Sequence, residues 1–153
     1  MQVNLDELVV NAPKSPIKEW DNGGIHWEDY EAKAFYHGIL AARIVVARAA
    51  SEYRRQGPWS DSFFFDLSQA LPVPKPWVDW QGTEEQFRGN GINGHLICCA
   101  NESYRGKLGT PLYSSDHFLI HGGQSAKRVW QKLVEAGLAV YCPEIGKDRW
   151  RML

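Results

Sequence analysis

The residues best suited to chemistry are three histidines, a glycine-rich hexapeptide and a pair of adjacent cysteines. His117 and His121 in "SDHFLIHGG" are four residues apart. On a helix that spacing places both imidazoles on one face, as metal sites require. His95 is the candidate third ligand. A metalloprotease helix would carry Glu directly after its first His, and Phe118 stands there instead. The sequence therefore assigns no metal to His95, His117 and His121. The stretch "GNGING" (Gly89, Gly91, Gly94) fits G-x-G-x-x-G. A dinucleotide loop needs a strand before it and a helix after it, so that the phosphates meet a helix N-terminus. "EEQFR" precedes it, and "HLICCA" follows with the look of a short buried strand. The expectation is a Gly/Asn turn between strands, and no cofactor is assigned. Cys98 and Cys99 lie in that same apolar run, where burial raises a thiol's pKa and lowers its reactivity. With no G-x-S-x-G elbow and no cysteine-nucleophile signature, the sequence names no catalytic residue and favours a non-enzymatic role.

The composition suits a folded domain: 44% apolar and 23% charged residues, with seven tryptophans in 153 positions. That length is most simply one domain, 1–153, which buries roughly 70% of its unfolded surface without disulfide or metal. Three unspaced cysteines read as reduced thiols, which points to the cytoplasm. No secretory leader pattern and no long apolar run are recognisable, so a membrane span is not expected. Net charge is −1, but it is unevenly distributed. Residues 1–103 hold nine Lys/Arg against fourteen Asp/Glu, whereas 104–153 hold eight against four. Such asymmetry marks a basic contact surface on an acidic body.

The elements that would position these groups read as an α+β fold. From Trp27 to Arg55 only Gly38 interrupts a helical pattern. Acidic residues open it, arginines close it, and Gly57–Pro58 stop it. "FYHGILAARIVVARAA" is apolar on most sides, which predicts a long, buried helix. "DSFFFDL" reads as a strand. "LPVPKPWVDW" is too proline-rich for a central strand, and a small sheet is expected around the helix. That Pro/Trp segment also reads as a loop bearing Trp77 and Trp80.

Toward the C-terminus, Ala126, Val129, Trp130, Leu133 and Val134 form one apolar stripe, and Gly137 ends that helix. "LAVYC" and "RWRML" then make a hairpin across "PEIGKD", with Arg149 and Arg151 facing away from Trp150 and Met152. Residues 112–153, taken as a short capped segment, a basic amphipathic helix and an arginine-bearing hairpin, resemble a winged helix-turn-helix. The resemblance rests on "VWQKLVEAGLAV" followed by "DRWRML". It implies duplex DNA as partner, with the helix in the major groove and the wing on the backbone. The DNA-binding residues would be Lys127, Arg128, Gln131, Lys132, Lys147, Arg149 and Arg151. The alternative is a protein-binding or inhibitor module that uses Trp59, Trp77 and Trp80 beside an acidic face. A His-centred enzyme is the third reading.

Overall fold

A computed structural model describes residues 2–22, 25–49, 76–115, 123–143 and 149–153. Trp59, His117, His121, Lys147 and the "DSFFFDL" segment lie outside them. The fold is mixed α+β. Strands β1 (Leu8–Asn11), β2 (Lys18–Asn22), β3 (Ile25–Tyr36), β4 (Ile39–Ala49) and β5 (Trp77–Thr83) lead to helix α1 (Ile92–Leu108). Then come β6 (Tyr113–Ser114), helix α2 (Gly123–Glu135), β7 (Ala139–Tyr141) and β8 (Trp150–Met152). The eight strands form one sheet in the order β1-β3-β4-β5-β6-β8-β7, with β2 pairing β3 beyond β1.

Of the long helix expected over 28–55, residues 28–49 instead form the β3–β4 hairpin, the longest pairing among the described strands, and residues 50–55 lie outside the described residues. The hairpin turns at His37–Gly38, with φ of 50° and 80°. Two consecutive positive φ values match the right-handed twist of flanking strands and close a two-residue hairpin tightly. The apolar residues that looked all-round on a helix alternate on strands. Tyr30, Ala32 and Ala34 on β3, with Ala42, Ile44 and Val46 on β4, face the helices and are buried. Asp29, Glu31 and Lys33 take the opposite face. There Glu31 bridges Lys33 at 3.2 Å and Arg43 at 3.1 Å.

Two further expectations are corrected. The sheet is large, not small. Residues 77–80, assigned to a loop, open β5, which lies inside the sheet between β4 and β6. Pro76 stands just before that strand, where its missing N–H costs the ladder nothing. "HLICCA" belongs to α1, whose buried stripe is Ile92, Asn93, Leu96, Ile97, Ala100, Asn101 and Tyr104. Tyr104 reaches the Glu31 carbonyl at 3.1 Å and packs on Tyr30.

Helix α2 behaves as its stripe implies, apart from Val134, which is exposed. Trp130 and Leu133 are buried, and Val129 and Leu133 lie 3.7 Å from where a Cβ on Gly94 would sit. The helix closes with two bonds, Leu138 N–H to the Leu133 carbonyl and Gly137 N–H to that of Val134, a Schellman end. The β7–β8 hairpin does form, but β8 is inserted beside β6 as part of the main sheet.

Arg149 is corrected too. It is 6% exposed and donates to the Ser114 carbonyl at 2.8 Å. It precedes the first residue of β8, so strand alternation does not set its direction. Arg149→Ala should therefore lower stability by about 2–3 kcal/mol, the range for a buried charge-assisted bond. Arg151→Ala, at a half-buried position, should stay within about 1 kcal/mol. Denaturant titration of both variants checks the contrast.

Candidate functional site

β5 and β6 are the one parallel pair among the described strands, and they pair only at Trp77↔Tyr113 and Val78↔Ser114. Beyond that point β5 continues to Thr83, while β6 stops. The cause is visible at Ser114. Its carbonyl is taken by Arg149, and its Oγ accepts from the Trp150 amide at 2.8 Å. Both bonds draw β6 toward β8. Residues 79–83 thus have a strand partner in β4 only, among the described residues.

Just beyond that pairing β5 carries a bulge. Val46 pairs Val78 but Val45 pairs Trp80, so Asp79 is the extra residue. A bulged residue leaves the ladder and is re-aimed, which is why bulges recur beside reacting groups. The Asp79 carboxylate is exposed and accepts from the Trp77 indole N–H at 3.1 Å. Trp77 is itself held edge-on against Trp27, which stacks on Trp20.

At the far end of β5 a 3₁₀ turn, Glu85–Phe87, leads into the glycine loop and then α1. Gly89 and Gly91 have φ of 82° and 74°, so the loop requires residues free of a Cβ penalty. The first helical bond runs from His95 N–H to the Gly91 carbonyl. The amides of the opening turn therefore have no intrahelical acceptor, and they point along the positive end of the helix dipole. Arg88 is fixed beside them by its Nε bond to the Thr83 carbonyl, 3.2 Å. A shallow hollow of about 440 Å³ nearby is lined by Glu84, Glu85 and Gln86. Its carboxylates disfavour an anion.

"GNGING" therefore does follow a strand and open a helix, contrary to the expectation from the sequence. The loop itself was visible there. What hid its context was reading "HLICCA" as a strand. Asp79, Gln81 and Asn93 carry no sequence signal of their own; only the bulge and the helix start bring them forward.

The other candidates are dispersed. His95 Nε2 lies 3.5 Å from Cys99 Sγ, one helical turn away on α1. Burial holds both Cys98 and Cys99 above the usual thiol range, so neither is an activated nucleophile. Among the described residues no three His, Cys, Asp or Glu are grouped to hold a metal. His26 is clasped between Asp21 and Glu19 at 3.0 and 3.1 Å, and those hydrogen bonds raise its pKa. Arg128, Gln131 and Lys132 are exposed on α2, and Lys127 is half-buried. Trp77 belongs to the aromatic cluster rather than to a free patch. No helix among the described residues is long and apolar enough to cross a membrane. Comparison with protein-family models and with curated proteins finds no match.

Proposed function

We propose that this chain binds a coenzyme A thioester and transfers its acyl group to an acceptor amine. The observation that carries the reading is the outer edge of Asp79–Thr83, which has no strand partner among the described residues and runs from a bulge to the turn that precedes a helix N-terminus. Five strand residues, Asp79–Thr83, present an edge about 16 Å long at roughly 3.3 Å per residue. A ligand that fits must be extended and must carry amides to pair with that edge. It must also end in a diphosphate for the glycine loop. Coenzyme A has that chemistry, with two amides in its pantetheine arm and a diphosphate beyond them, and its thioester would lie at the bulge. There the neutral amine attacks the thioester carbonyl carbon. The C–N bond forms, the C–S bond breaks, and the thiolate leaves with the electron pair. The proton shed by the amine passes to a base, and Asp79 is placed to take it.

Calorimetric titration with coenzyme A and acetyl-coenzyme A tests the reading. Micromolar binding, with thiol release when amines are supplied, is the expected result. Absence of binding at roughly 1 mM, a threshold of about −4 kcal/mol, would overturn it.

The exposed side chains of Arg128, Gln131 and Lys132 favour a second reading, duplex DNA as partner through the winged-helix-like end. Arg149 does not contribute phosphate contacts in that reading, because its guanidinium is committed to Ser114. Affinity would then fall with salt at a log–log slope near −0.9 for each phosphate neutralised. Mobility-shift titrations in rising salt check it, and Arg128→Ala with Lys132→Ala should flatten the slope by about two.

A further inference from the structure

We infer that His26 is a proton-operated clasp that fixes strand β2 to β3, closed when the imidazole is charged and half open when it is neutral. This holds whatever ligand the β5 edge takes. Among the described strands β2 pairs only with β3. Its two faces are held differently. On one, Trp20 stacks on Trp27 with ring centroids 5.4 Å apart and donates from Nε1 to Asp29 Oδ1 at 3.0 Å. On the other, the His26 ring lies between two carboxylates of β2. Its Nδ1 is 3.0 Å from Asp21 Oδ1, and its Nε2 is 3.1 Å from Glu19 Oε1.

A count of protons decides what holds the second face. Above about pH 5 a carboxylate ordinarily carries no proton and can only accept. A neutral imidazole has one N–H and one lone pair, so it donates to one carboxylate while its lone pair meets the other. Both short contacts are hydrogen bonds only for the imidazolium, which has two N–H groups. The Asp21 bond above all, and then the Glu19 bond, raise the His26 pKa from its ordinary 6.5. The rest of this face also favours a cation. Glu28 on β3 stands directly across from Glu19, and like charges opposite one another on adjacent strands are destabilising. Arg48, across from Glu28 on β4 and 4.0 Å from its carboxylate, answers Glu28. The His26 proton answers Glu19 and Asp21. Tyr30, next along the face, donates to Glu28, and its pKa is pushed up to about 12, mainly by burial, so it stays neutral. The His26 side chain is 41% exposed, so bulk protons reach it. Because its pKa is raised on folding, the clasp is fully formed below pH 6.5 and is lost as pH rises through the folded value. Trp20 then remains as the side-chain hold on β2, on the face that carries no histidine.

Hydrogen exchange of the β2 amides, at about pH 5.5 and about pH 8, tests the clasp, with rates expressed as protection factors so that intrinsic exchange cancels. Wild-type protection should be about twofold to fivefold higher at the lower pH, the scale of exposed ion pairs. The NMR titration of the His26 ring should have its midpoint above 6.5. Glu19→Gln separates the proton from the contact. A neutral His26 can donate to Asp21 and accept from the new amide, so both contacts survive deprotonation and β2 protection should no longer change with pH. His26→Phe removes both contacts, and protection should stay at the lower level at both pH values. A wild-type midpoint at or below 6.5 overturns the inference, as does wild-type protection that is equal at the two pH values. A pH dependence that survives in His26→Phe places the titrating group elsewhere and also overturns it. One that survives undiminished in Glu19→Gln contradicts the proton count and does the same. If the wild type responds and both variants do not, the clasp stands, whether or not coenzyme A binds.

Discussion

Replacing Ile44 by Asp should abolish folding. Ile44 is fully buried at the centre of β4, within the core that joins the sheet to α1 and α2. It pairs with Ala32 on one side and Gln81 on the other. An ionised carboxylate there has no cation within the cluster, and an uncompensated buried charge costs several kcal/mol. That is comparable with the whole stability of a domain, about 5–15 kcal/mol. The neighbouring position provides the control. Val45 points to the other face of the sheet and is only half-buried, so Val45→Thr should cost about 1 kcal/mol or less. Thermal melts followed by circular dichroism separate the two. Equal losses at 44 and 45 would contradict the alternation on which the hairpin rests.

That pair of positions also shows where sequence reasoning succeeds and where it stops. The segment from Trp27 to Ala49 announces that its middle is buried, because Ala34–Ala42 carries no Asp, Glu, Lys or Arg. It does not announce its period. Over a short apolar run a buried strand and a buried helix look alike, and only local chemistry arbitrates. The deciding signals were His37–Gly38, which supplies two left-handed positions in a row, and the β-branched run Ile44–Val46. The reverse error occurred at "GHLICCANESYRGKL". Viewed over six residues it looks like a strand, whereas Ile92, Leu96, Ile97, Ala100 and Tyr104 mark one helical face over thirteen. Helix α2 was readable because its stripe, its polar face and Gly137 all agree. The winged-helix resemblance drew on that same agreement, but the hairpin it assigned to a wing completes the main sheet through β8.

The site was less legible than the fold because it is made of departures from regularity. The glycine loop could be read as a loop, but its meaning depends on what stands on each side. The end of the β5–β6 pairing depends on Ser114 being held by Arg149 and Trp150, residues 35 and 36 positions away. No periodicity encodes such a contact. The bulge at Asp79 is likewise a difference between two strands, so neither strand alone reveals it.

Asp79→Asn should therefore be the most informative change at the site. The side chains are nearly isosteric, and the amide oxygen can still accept from the Trp77 indole. Stability should stay within about 0.5 kcal/mol, as expected for an exposed position. Coenzyme A binding should not change, because the strand edge and the glycine loop are untouched. What the substitution removes is proton acceptance at the bulge. A positioned general base contributes about 10²–10⁴ to rate, so kcat for acyl transfer should fall by that factor while KM for the thioester holds. Steady-state thiol release, measured over a range of pH, gives both parameters. A variant that keeps the rate would move the base to another residue while leaving the thioester site in place. Loss of thioester binding along with rate would instead show that Asp79 holds the bulge itself, and the strand geometry would then account for the whole effect.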